Sequence, residues 1–214
     1  MRKIIIFTLT AVLFLSSCKK ETTLSFNDEE IIIDLGGSEE DILKYVSASD
    51  NSKISVSGIN YDKVGLQHGL FSANGTQVQH DVKIRADKLT GTYQFHLFFR
   101  SGEKDVERTI GNWLVELTSG NKYNQIRFPC KNTKGTDIIL NKNYLEISLD
   151  NDSAYIPPTE GQLNFFVSTK ITPLEFQDIE YGKTDNHTYS LKGFTIRRFH
   201  DEYIDTLLVR LYKK

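Results

Sequence analysis

Residues 92–128 read TYQFHLFFRSGEKDVERTIGNWLVELTSGNKYNQIRF. Three runs, Thr92–Arg100, Asn112–Thr118 and Tyr123–Phe128, place aromatic and branched residues between polar ones. That alternation is the signature of a half-buried strand. Two nearly identical turns punctuate them. Ser101-Gly102-Glu103-Lys104 follows Leu97-Phe98-Phe99-Arg100, and Ser119-Gly120-Asn121-Lys122 follows Val115-Glu116-Leu117-Thr118. Glycine supplies the positive φ used in tight hairpins. The stretch predicts a β-meander.

The same texture extends in both directions. Strands are predicted at Glu30–Leu35, Lys53–Val56, Gly65–Ala73 and Val78–Ala86 before the meander. After it come Asp137–Leu140, Tyr144–Leu149, Gln162–Thr169, Leu174–Tyr181, Tyr189–Phe199 and Tyr203–Tyr212. The last two form a hairpin with a polar tip, His200-Asp201-Glu202, and Leu207, Val209 and Leu211 share one face of its second strand. One helical turn is predicted after Gly36-Gly37. Ser38 caps it, Asp41 stands three residues on, and Ile42, Leu43 and Val46 form its apolar side. No longer helical period exists, so the chain is predicted to be all-β.

The chain has 214 residues, 39% hydrophobic and 25% charged, enough for a substantial core and unlike a disordered chain. Its formal net charge of −2 supplies no basic stripe for nucleic acid and no polybasic membrane patch. Of two cysteines, Cys18 and Cys130, the second sits in Phe128-Pro129-Cys130-Lys131 and reads as a small half-buried hydrophobe. Met1 is the only methionine, which excludes a methionine-rich, re-packable binding surface.

The N-terminus carries an address. Arg2 and Lys3 precede an apolar run, Ile4 to Leu15, too short to span a bilayer, and Ser16-Ser17-Cys18 follow. Leu15-Ser16-Ser17-Cys18 resembles the lipobox of bacterial lipoproteins. The resemblance implies that residues 1–17 are a signal peptide. It also implies that Cys18 receives a diacylglycerol through its thiol, that cleavage falls just before it, and that acyl chains anchor the protein. Residues 18–23, beginning Cys18-Lys19-Lys20-Glu21, resemble the tether of Bacteroidota-type outer-membrane lipoproteins. The implied location is the cell envelope, with the outer membrane as the anchoring bilayer. Some members of that family use acidic tethers for export to the cell surface, and Glu21 is the one acid near the anchor here.

Residues 24–88 resemble the bacterial immunoglobulin-like domains of surface proteins. The resemblance lies in Gly37, Ala48-Ser49-Asp50, Ile54-Ser55-Val56-Ser57-Gly58, Tyr61-Asp62-Lys63-Val64-Gly65, Phe71-Ser72-Ala73-Asn74-Gly75 and Val82-Lys83-Ile84. It implies a small β-sandwich with a hairpin at Asn74-Gly75. A boundary is placed near Asp87–Gly91. Residues 92–214 are expected to form a larger antiparallel β-sandwich. The alternative is a lipocalin-like barrel, suggested by the tripeptide Gly111-Asn112-Trp113.

Catalytic signatures are weak. Both Ser-Gly-x-Lys turns match the Ser-x-x-Lys of penicillin-recognising enzymes in letters only, because that chemistry needs a helix start. His68, His80, His96, His187 and His200 have no spacing that puts two imidazoles on one metal from one strand or helix. Asp150-Asn151-Asp152-Ser153 offers hard oxygens but lacks the glycine and final glutamate of a calcium loop, and reads as an Asx-rich turn. No metal site and no cofactor is expected. Trp113, Tyr144 and Tyr155 are the rings proposed to stack on a sugar or anchor a partner, Tyr155 from a loop. The sequence thus points to a lipid-anchored envelope protein that binds a glycan or a protein without catalysis, its immunoglobulin-like part serving as a spacer. The alternatives are a hydrolase of an external or envelope polymer and an assembly subunit pairing through an edge strand.

Overall fold

A computed structural model describes residues 21–28, 30–101, 106–140, 142–163, 171–201 and 204–214. The predicted signal peptide, Cys18, the Gly102–Lys104 turn and most of the predicted strand 162–169 lie outside the described residues. The chain is all-β. In order the elements are β1 (Leu24–Phe26), β2 (Ile31–Asp34), α1 (Glu39–Leu43), β3 (Val46–Ala48), β4 (Ser55–Ser57), β5 (Gly65–Ala73) and β6 (Thr76–Arg85). A 3-10 turn at Asp87–Leu89 leads to β7 (Gly91–Ser101), β8 (Val106–Ser119), β9 (Gln125–Pro129), β10 (Ile139–Leu140), β11 (Tyr144–Asp150) and β12 (Ser153–Tyr155). The last four are β13 (Thr159–Leu163), β14 (Thr172–Lys183), β15 (Tyr189–Phe199) and β16 (Ile204–Lys213).

The first six strands make two layers. β2-β6-β5-β4 is one sheet, with β2 and β6 parallel, and β1 pairs antiparallel with β3. Phe26 of β1 meets Phe71 of β5 edge-on at 5.0 Å, which closes the layers over Ile31, Ile33, Val46 and Val82. Asn74 and Gly75 join β5 to β6 with φ of 44° and 86°, the two positive values a two-residue I′ turn requires. α1 is the predicted turn. The Asp41 carboxylate accepts the Ser38 N–H at 3.0 Å and its hydroxyl at 3.2 Å.

The remaining strands form one antiparallel sheet in the order β10-β13-β14-β15-β16-β7-β8-β9-β11-β12. The meander β7-β8-β9 lies within it. β8 pairs with β7 along its length but with β9 only at Thr118 and Ser119, so the sheet bends there. The bend carries β9 across the core. Phe128 reaches Phe95 of β7 and Phe194 of β15, each at 5.5 Å, and β12 packs against β14. A single sheet therefore supplies both facing layers.

Three local expectations change. Gly120 closes its turn without a positive φ. It is needed because a Cβ there would lie 2.4 Å from that of Gln125. Tyr155 belongs to β12, paired with Ser148, and not to a loop. Cys130 is wholly buried, not half-buried.

The two parts share one hydrophobic cluster running from Ile31 to Leu211. Their seam is polar. The Asp150–Ser153 turn docks on the entry to β5, with Asn151 N–H bonded to the Val64 carbonyl at 2.6 Å and Asn151 Nδ2 to the Leu66 carbonyl at 2.8 Å. Asp152 pairs with Lys63 at 3.0 Å, and Asp62 with Lys183 at 2.8 Å. The oxygens considered for calcium are thus partners in a joint. Among the described residues no cluster of three His, Cys, Asp or Glu could hold a metal.

Candidate functional site

Side chains of a strand alternate between faces, so the inward positions of β7, β8 and β16 fix what the other face shows. Tyr93, Phe95 and Leu97, then Val115 and Leu117, then Leu207, Val209 and Leu211 are all buried. The outward residues form a grid in register. Tyr212, Gln94 and Leu114 make one row, Arg210, His96 and Asn112 the next, and Leu208, Phe98 and Thr109 the third. A bulge at Ile110, between the pairs Leu97–Gly111 and Phe98–Thr109, shifts the phase of β8 and brings Thr109 to the outer side opposite Phe98.

The grid mixes rings with amides. The His96 ring meets Tyr212 edge-on at 5.3 Å, and the Arg210 guanidinium covers Phe98 at 5.2 Å. Tyr212 is 52% exposed and Leu114 40%. Gln94 Nε2 donates to Asn112 Oδ1 and, at 3.3 Å, to the Trp113 carbonyl. This fixes the amides and leaves the Gln94 carbonyl oxygen and the Asn112 NH2 with hydrogen-bonding capacity to spare.

A cleft of about 210 Å³ opens beside the first two rows, lined by Gln94, Asn112, Trp113, Leu114, Asn132, Thr133 and Lys134. Its wall exists because β9 leaves β8 early. The β8 edge is taken instead by the loop after β9, whose Thr133 N–H bonds the Leu114 carbonyl at 2.9 Å. Asn132 holds this loop from within. Its Oδ1 accepts the N–H groups of Lys134 and Thr136 at 3.0 and 2.9 Å. Lys134 is left at the rim with its ammonium exposed.

The three rings chosen from sequence do not converge. Trp113 lies on the inner face of β8, its ring 5.5 Å from Phe95 and laid over Gly111, where a Cβ would fall 1.7 Å from it. It contributes to the cleft wall. Tyr144 and Tyr155 are on the outer face of β11 and β12, 43% and 56% exposed, with Arg127 over the Tyr144 ring at 4.6 Å. Ser148, the partner of Tyr155, is four residues from Tyr144, a separation of roughly 13 Å along the strand.

In the polar tip read from sequence after β15, Asp201 is exposed but His200 turns inward. His200 is nearly buried, and its Nε2 lies 3.0 Å from Asp205 Oδ2. That oxygen also takes Arg198 through Nε at 3.1 Å and through Nη2. Arg198 and Asp205 side chains are 8% and 11% exposed, so this is an inward ion cluster. His68 pairs with Asp81 at 2.7 Å on the surface, and His80 stacks on Phe26 at 4.1 Å.

No family model matches the sequence, and no curated protein matches it. Among solved structures, the lipoprotein BT2262 from Bacteroides thetaiotaomicron aligns with 90% of this chain and 100% of its own, at 11% identity and a TM-score of 0.33. A likeness of that strength assigns neither fold nor function to this chain.

Proposed function

We propose that this protein is a lipid-anchored component of the bacterial cell envelope, held at Cys18 in the outer membrane, that binds glycans without catalysis. The anchor reading rests on the charged start, short apolar run and Leu15-Ser16-Ser17-Cys18. The glycan reading rests on one observation: a fixed amide pair, Gln94 and Asn112, flanked by the exposed Tyr212 ring and opening into a cleft. Amides bond a sugar's hydroxyls, and a ring packs on its apolar face. A protein-docking face would carry a larger apolar centre than Leu114, Leu208, Phe98 and Tyr212 provide among amides and a guanidinium. The immunoglobulin-like part, residues 24–88, acts as the spacer.

The test is a glycan array probed with residues 22–214, followed by titration of the best ligand. Asn112→Ala and Tyr212→Ala are each expected to weaken binding at least tenfold, about 1.4 kcal/mol. Tyr155→Ala, on a distant face, leaves it unchanged. An array that retains nothing, or a ligand indifferent to both substitutions, overturns the reading.

A further inference from the structure

Thr22 lies four residues beyond Cys18 and is already built into the fold, with only 4% of it exposed. Its hydroxyl donates to the Asp50 carboxylate at 2.7 Å and accepts Asn74 Nδ2 at 3.2 Å. Its carbonyl accepts the Thr76 hydroxyl at 2.7 Å. Asn74 Nδ2 also bonds Asp50 at 2.9 Å, and Thr23 and Ser49 bond each other through N–H to Oγ at 3.0 Å and N–H to carbonyl at 2.9 Å. Ser52, Thr22 and Asn74 together hold the Asp50 carboxyl well below the usual carboxylate range. The N-terminal chain is therefore clasped to two turns, Ala48–Ser52 and Asn74-Gly75.

Four residues reach at most about 14 Å when fully extended. A lipid on Cys18 leaves the clasped end no room to stand away from the bilayer. From the same end, β5 and β6 run to the seam with the large sheet. Gly65 is eight residues from Ala73, roughly 26 Å along the strand. We infer that the Thr22–Asp50–Asn74 clasp seats the protein on the membrane with the Asn74-Gly75 tip against the lipid headgroups, and that β5 and β6 lift the ten-stranded sheet off the surface. The occupant of this end is the headgroup layer of the anchoring bilayer. The inference rests on the anchor reading above.

The experiment uses the lipidated chain in phosphatidylcholine vesicles carrying a headgroup nitroxide. A fluorophore is placed at Gln77→Cys, beside the tip, or at Asp185→Cys, in the turn after β14 near the seam. Buried Cys130 does not compete for the label. Quenching at position 77 is expected to exceed that at 185 several-fold. A long Gly/Ser insertion between Lys20 and Glu21 keeps every bond of the clasp and should abolish the difference. Equal quenching in an uninterrupted chain whose mass shows the lipid overturns this orientation. A mass without lipid overturns the anchor instead.

Discussion

The Tyr181 hydroxyl donates to the Asn151 carbonyl at 3.0 Å, and the same oxygen accepts the Val64 N–H at 3.1 Å. One phenol thus ties β14 to the β11–β12 turn and to the strand entry of the N-terminal part. Burial raises its pKa, so it remains a donor at neutral pH. Tyr181→Phe keeps the ring and strands two backbone groups at the seam. The expected cost is about 1–3 kcal/mol, read as a lower urea midpoint with an unchanged m-value. A midpoint equal to that of the parent would show that the hydroxyl carries none of the joint.

Asp205 faces Arg198 on the inner side of the sheet, and both are almost out of solvent. Removing the carboxylate takes the Asp205 ion pair from an arginine that is almost out of solvent. Asp205→Ala should therefore cost about 3–5 kcal/mol, more than a surface ion pair ever would. Asp205→Asn retains an acceptor and should cost less. Urea unfolding of both variants checks the order, and an Asp205→Ala loss under ~1 kcal/mol would place this pair with ordinary surface bridges.

Tyr212 offers the opposite test. Half of it is exposed, and its neighbours on β16 already fill the core from the other face. Tyr212→Ala should shift stability by no more than ~0.5 kcal/mol while weakening glycan binding. A variant that unfolds at much lower urea would make the ring a structural element, and its loss of binding would say nothing about recognition.

How far the sequence could be read depends on range. Alternation within a strand is local, so β5, β7, β11 and β15 were predicted within a residue or two, and the Ser38–Asp41 turn followed from adjacent chemistry. The inward face of β16 is also visible, since the odd-numbered Leu207, Val209 and Leu211 point one way. What no local pattern carries is that β16 lies beside β7, with Tyr212 opposite Gln94 more than 100 residues away in sequence. The outward grid exists only through that pairing, which is why His96, Phe98, Arg210 and the Gln94–Asn112 amides do not stand out in the sequence. Trp113 stands out in the sequence by its type, but its odd position on β8 turns it inward, in phase with Val115 and Leu117. The strands β1, β3 and β12 have three residues each, too few for a period to show.

Cys130 tests the core directly. Burial pushes its thiol from 9.0 up to about 12. Burial also raises the Tyr93 phenol from 10.0 to about 12, even though its oxygen accepts the Leu191 N–H at 3.2 Å. Both groups are neutral when protonated, and the folded state holds their protons more tightly than the unfolded state does. Their contribution to stability is complete below pH 9 and falls as the pH rises towards 12, because the unfolded chain ionises first. Cys130 should resist Ellman's reagent at pH 8 until urea unfolds the protein. Cys130→Ala should flatten the fall that begins near pH 9 and leave the part that begins near pH 10, which belongs to Tyr93. Rapid labelling of the folded thiol at pH 8 would contradict a sealed position between β9 and β10.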